Sequence, residues 1–174
     1  ESRHKLERWA AKLETRVAAR TRELATLLDV SAEINAQRKL DEVLNTVVQK
    51  AGELLDSEVG VLCLLDDESQ ELRAAAFFGP NGVVKERAQL VTEGIARDVV
   101  LEGQTTDCVN GCGCQILQPG FQPCQMAAPL RASDKIVGAL CVADRSRRTF
   151  GAAEKQVLTL LANTAGIALE NARL

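Results

Sequence analysis

The chain is 174 residues long, 46% hydrophobic and 26% charged, with 21 basic against 24 acidic residues and a formal net charge of −3. Such a length and apolar content suit one globular domain of ordinary size with an appendage, while the scattered charges exclude the extended basic surface of a nucleic-acid-binding protein. No run of about 18 apolar residues marks a membrane span, and the charged start, Glu1-Ser2-Arg3-His4-Lys5, lacks the apolar stretch of a secretory signal.

We therefore place the chain in the cytoplasm, without membrane contact of its own. In a reducing compartment, clustered cysteines serve as ligands or redox sensors more often than as structural disulfides.

Residues 1–37 contain neither Gly nor Pro and are predicted to form a helix. Leu6, Trp9, Leu13, Val17, Arg20, Leu24, Leu28 and Ser31 follow steps of 3, 4, 4, 3, 4, 4 and 3, closer to an eleven-residue repeat than to a heptad. That spacing predicts a nearly straight contact between two helices. The stripe is too narrow, and too interrupted at Arg20 and Ser31, to form the core of a monomer. Residues 1–37 are read as a dimerising coiled coil and 38–174 as the globular domain, with Trp9 as ordinary packing in the helix contact.

A second helix is expected from Leu40 to about Asp56, where Leu40, Val43, Leu44, Val47, Val48, Ala51, Leu54 and Leu55 recur at helical spacing. Val59 to Leu65 and Glu71 to Phe78 read as a hairpin about the polar turn Asp66-Asp67-Glu68-Ser69, stopped by Gly79-Pro80-Asn81-Gly82. A short helix from Gly94 to about Leu101 and an extended piece from Gln104 to Val109 follow. Gln125 to Leu130 and Lys135 to Asp144 form a second hairpin about Arg131-Ala132-Ser133-Asp134. From Ala152 to Leu174 an amphipathic helix is expected, with Val157, Leu160, Leu161, Thr164, Ile167, Ala168 and Asn171 near one face.

Four of the 6 cysteines, Cys108, Cys112, Cys114 and Cys124, crowd into one Gly- and Pro-rich stretch with the spacing C-x3-C-x-C-x9-C. This is not the paired C-x2-C of zinc ribbons. Four thiolates with flexible backbone between them suit an iron–sulfur cluster, which tolerates varied spacings, and we take these residues as its candidate ligands. Zinc, a labile Cys112–Cys114 disulfide and plain packing without metal are the alternatives. Cys63 and Cys141 lie within apolar strand runs and are read as core.

Asp107 is read as a strand end and Arg145, Arg147 and Arg148 as a solvated turn. The single histidine, His4, leaves no Ser/His/Asp or Cys/His pair to assemble, and no phosphate-binding glycine loop follows a strand, so no catalytic residue is assigned and the chain is not expected to be an enzyme.

The order helix, hairpin, short helix, strand, loop, hairpin, helix resembles a GAF domain from about Leu27 to Leu174. The segments that carry the likeness are Ala128-Pro129-Leu130-Arg131, Ile136-Val137-Gly138-Ala139-Leu140, the set Phe150, Glu154, Leu158, Leu161 and Ala162, and the ending Ile167-Ala168-Leu169-Glu170-Asn171-Ala172-Arg173-Leu174. Leu13 to Leu24 is similar to the helix that joins a HAMP segment to the sensor module of bacterial histidine kinases, those of the nitrate-sensor type included.

The resemblance implies an α+β fold with a six-stranded antiparallel sheet and helices on both faces. The terminal helices would pair in a homodimer, and a ligand pocket would lie over the opposite face, lidded by the segment that here carries the four cysteines. Arg97 stands where many relatives have Gly. The cyclic-nucleotide motif of some relatives is not recognisable and none of the cysteines is followed by His, so neither cyclic nucleotides nor a bilin is expected. The chain is thus expected to be a redox- or gas-sensing module of a two-component kinase, the alternatives being a module that binds a small molecule or an anion with incidental cysteines, a metal-free thiol–disulfide sensor, and a structural spacer. Its partners would be a second copy, the rest of the kinase chain and, indirectly, a response regulator, with no nucleic acid.

Overall fold

The computed structural model describes residues 2–80, 88–107 and 124–173. Two compact units divide at Lys39 and Leu40. Helix α1, Ser2–Leu54, supplies the described part of the first unit and the first element of the second. Two helices were expected here, but Gln37-Arg38-Lys39-Leu40 are all good helix formers and nothing stops the first before the second begins.

Among the described residues, the first unit buries no side chain. Leu6, Trp9, Leu13, Val17, Leu24 and Leu28 are all exposed, Leu28 by 70%. Its polar contacts are exposed pairs one turn apart, such as Arg20–Glu23 at 3.4 Å, each worth only tenths of a kcal/mol.

In the second unit α1 ends by a Schellman arrangement. Asp56 takes the left-handed conformation (φ 51), the Ser57 amide donates to the Gly52 carbonyl at 2.8 Å, and the Asp56 amide donates to that of Glu53 at 3.3 Å. Then follow β1 Val59–Leu65, β2 Leu72–Phe78, α2 Ile95–Glu102, β3 Thr106–Asp107, β4 Met126–Ala132, β5 Lys135–Ala143 and α3 Ala152–Arg173. The described strands form one antiparallel sheet in the order β2-β1-β5-β4-β3. Five strands are thus described where the resemblance implied six.

The β4–β5 connection is tighter than expected. Ala132 pairs with Lys135, so only Ser133 and Asp134 make the turn, with Ser133 at φ 55.

Strand alternation sends side chains to two cores. Leu62, Met126, Ala128, Leu130, Leu140 and Val142 face α3 and the Leu44–Leu55 part of the chain. Val59, Val61, Cys63, Ala127, Ala139, Cys141 and Ala143 face α2 on the other side. On β2 the face changes within the strand. Leu62 pairs with Ala76 but Cys63 with Ala74, so Ala75 is an extra residue, and Ala76 joins the α3 side while Ala74 joins the α2 side.

Helix α3 lies on the sheet by a different stripe from the one expected. Leu158, Ala162, Ala165 and Leu169 are buried, while Leu160 and Ile167 are 66% and 57% exposed. The buried stripe is rich in small residues because α3 closes on β4 at backbone distance. A Cβ on Gly166 would overlap the Arg131 backbone. Large side chains cannot fit there, and Leu160 and Ile167, on the apolar face read from the sequence, are left exposed.

Candidate functional site

Of the four cysteines singled out in the sequence, Cys108, Cys112 and Cys114 lie outside the described residues. Cys124 lies within them, just before β4, and is 2% exposed. It belongs to the α2-side core together with Cys63 and Cys141, which are buried as strand residues were expected to be. Cys141 sits opposite Val61 on β1 and Ala127 on β4, and Cys63 opposite Ala139. Among the described residues, no group of three or more His, Cys, Asp or Glu could hold a metal ion.

The two faces of the sheet differ in bulk. Toward α3 and α1 the central strands present Leu62, Met126, Leu130, Leu140 and Val142. Toward α2, β1 presents Val59, Val61, Cys63 and Leu65, but β4 and β5 present only Ala127, Ala139, Cys141 and Ala143. Short side chains let whatever covers the α2 side come close to β4 and β5. Cys124, the one described member of the candidate ligand set, is on that side.

Helix α2 is fixed at both ends. Gly94 precedes it at φ 101, and Gly103 ends it in the left-handed conformation (φ 78), its N–H donating to the Val99 carbonyl. The side chain of Arg131 donates to the Gly103 carbonyl. Arg97 donates to the Gln70 carbonyl at 3.0 Å, tying α2 to the β1–β2 turn.

The chain leaves α2 through Gly103 and enters β3, whose last described residue, Asp107, immediately precedes Cys108 in sequence. Asp107 does more than end a strand. Its Oδ1 lies 3.3 Å from Lys155 Nζ on α3. Two residues before it, the Thr105 and Thr159 hydroxyls meet at 2.6 Å. Thr159 Oγ1 also donates to the Lys155 carbonyl at 2.7 Å. A hydroxyl carries one proton, so Thr105 is the donor of the shared bond.

A second polar cluster sits where β4 begins and β5 ends. The Asp144 carboxylate, 4% exposed, accepts the Glu58 N–H at 2.9 Å and the Arg148 guanidinium at 3.4 Å. Arg148 also donates to the Asp56 carbonyl at 2.6 Å, pairs with Glu154 at 3.5 Å and lies over the Phe150 ring, 5.0 Å from its centre. Its amide donates to Gln125 Oε1 at 3.0 Å, and Gln125 Nε2 donates to the Ser146 carbonyl at 3.1 Å. Arg148 is therefore a clamp between the end of α1, β5 and α3, which corrects its reading as part of a solvated turn. Arg145 pairs with Glu58 at 3.4 Å at the cluster's edge.

Sequence reasoning missed Thr105, Lys155 and Thr159 on one side, and Asp144, Gln125 and Glu154 on the other. Lys155 and Thr159 stand one helical turn apart, a weak signal of a shared face. Nothing local pointed to their partners across the fold.

A family model described as GAF domain matches residues 37–170. Comparison with curated protein sequences finds no match. Among solved structures, the GAF domain of an Acinetobacter phosphoenolpyruvate-protein phosphotransferase is similar at 16% identity, covering 84% of this chain and 95% of that one, with a TM-score of 0.65. The second GAF domain of DevS from Mycobacterium smegmatis is similar at 22% identity, covering 77% and 95%, with a TM-score of 0.59. Free methionine-R-sulfoxide reductase from Neisseria meningitidis is similar at 18% identity, covering 81% and 85%, with a TM-score of 0.63. At these identities the structural likeness establishes the fold. Among the described residues, no helix is long and apolar enough to cross a membrane.

Proposed function

The chain belongs to the GAF domain family, and from that premise we propose that it is the sensory module of a two-component sensor histidine kinase of the nitrate-sensor type. In this reading it responds to redox state or a gas through an iron–sulfur cluster held by Cys108, Cys112, Cys114 and Cys124. The observation that carries the reading is the position of Cys124. It is buried on the α2 side of the sheet, where β4 and β5 present small side chains, and it is separated by the sheet from α3 and the Leu44–Leu55 region.

The donor set fits the group. Four thiolates satisfy one cluster, and the apolar surroundings of Cys124 would keep water from its sulfur. A bound cluster would supply reversible one-electron chemistry or lability to oxidant. The chain's own residues do the rest. Cys124 anchors one ligand to the start of β4, and β3 connects the segment that carries the other three to the sheet edge and to α3. No catalytic step is assigned to this chain.

The signal would leave through the helices. A second copy would pair along the Leu6–Leu28 stripe of α1 and along the exposed Leu160 and Ile167 of α3, both apolar and both uncovered within their own units. The rest of the kinase and, through it, a response regulator would be the downstream partners, all in the cytoplasm. A coupling free energy of about 1–3 kcal/mol between cluster state and helix arrangement would change output several-fold to a hundredfold.

Iron and acid-labile sulfide analysis of the chain purified without oxygen tests the reading. The expected result is iron and sulfide together, both lost in the Cys112→Ser, Cys114→Ser double variant. Anaerobic protein holding neither would overturn the cluster and leave a GAF module whose cysteines react as thiols or bind nothing.

A further inference from the structure

The strand that leads into the cysteine segment is fastened to α3, the helix that would carry the output. Thr105 and Asp107 meet Thr159 and Lys155, at 2.6 Å and 3.3 Å respectively. Among the described residues β3 spans Thr106–Asp107 and pairs with β4, at Thr106–Ala127 and Asp107–Met126. Contacts of Thr105 and Asp107 with α3 add to that pairing in fixing its position. Asp107 and Lys155 are 28% and 38% exposed, so water screens their attraction only in part.

We propose that the Thr105–Thr159 and Asp107–Lys155 pairs are the joint through which the state of the segment beginning at Cys108 is passed to α3. This rests on the reading that the segment is the sensing one, though not on which group its cysteines hold. A displacement of residue 108 acts directly on Asp107, and Asp107 acts on Lys155. The Thr pair resists twisting of β3 about that single ion pair. The four residues are positioning residues and touch no ligand themselves.

Coupling is reciprocal, so a change made on α3 must be felt at Cys108. The test measures N-ethylmaleimide alkylation rates, cysteine by cysteine and by peptide mass spectrometry, on the reduced, chelator-treated chain of 174 residues. Lys155→Ala is expected to change the Cys108 rate about two- to five-fold, the range of one partly screened ion pair. Rates at the buried Cys63 and Cys141 should stay as in the parent. Asp107→Asn should give the same change, and Asp107→Lys combined with Lys155→Asp should return the parent rate. Thr159→Val, nearly the same shape without the hydroxyl, should shift Cys108 in the same direction.

A Cys108 rate indifferent to Lys155→Ala and Thr159→Val would overturn the joint. So would a shift shared equally by Cys63 and Cys141, because that reports general loosening. The experiment uses metal-free protein. An iron-free preparation therefore defeats the cluster without touching this result, and a failed joint leaves the cluster standing.

Discussion

Arg148 shows how much one side chain can hold when its partners come from distant parts of the chain. It reaches Asp56, Asp144, Glu154 and the Phe150 ring. Removing Asp144, its most buried partner, would strand the Glu58 N–H and take from Arg148 its buried counter-charge, leaving it Asp56 and Glu154. Asp144→Ala is expected to lower unfolding free energy by about 3 kcal/mol, measured by urea denaturation. The opposite sign is expected at Asp56. That residue pays the steric cost of φ 51 at the end of α1, while its carbonyl, the group Arg148 uses, is backbone. Asp56→Gly keeps that bond and should raise stability by about 0.5–1 kcal/mol in the same assay. Neither role was legible in the sequence. Arg148 stands in a polar run with two other arginines, and only the folded chain brings residues 56 and 125 to it.

Elements were far more readable than their contacts. Val59–Leu65 and the α2 and α3 spans follow from apolar runs bounded by Gly and polar turns, which are local signals. Which face of α3 meets the sheet was not legible, because hydropathy ranks Leu160 and Ile167 above the Ala and Gly positions that a close backbone approach requires. Two substitutions separate the faces. Leu158→Ala, at a fully buried site, should cost about 2–5 kcal/mol, whereas Leu160→Ala should change the stability of the monomer by less than about 0.5 kcal/mol. Gly166→Ala is a sharper case. Within a free helix it would gain about 1 kcal/mol, but here the new methyl meets the Arg131 backbone. The overlap, typically costing about 1–3 kcal/mol, should win, and a lowered melting temperature would record it.

At the scale of the whole molecule, the family was legible because the β4–β5 and α3 sequences are its most specific part. The candidate site was legible only as a cysteine pattern. Its one described member, Cys124, lies on the face that the resemblance assigned to a pocket, and the fastening of β3 to α3 left no signature beyond the one-turn spacing of Lys155 and Thr159. If the exposed Leu160 and Ile167 meet a second copy, then the Leu160→Glu, Ile167→Glu double variant should sediment as a lighter species than the parent without losing its fold. An unchanged sedimentation coefficient would remove α3 from the dimer. The contact of Gly166 with Arg131 bears on how α3 can move at all. A helix seated backbone against backbone at one point cannot slide along its axis without unseating, but it can rock about that point as about a fulcrum. Lys155 lies 11 residues to one side and Asn171 5 residues to the other, lever arms of about 16 and 8 Å at 1.5 Å per residue. A push delivered at Lys155 would thus emerge at Asn171 reversed in direction and about half as large.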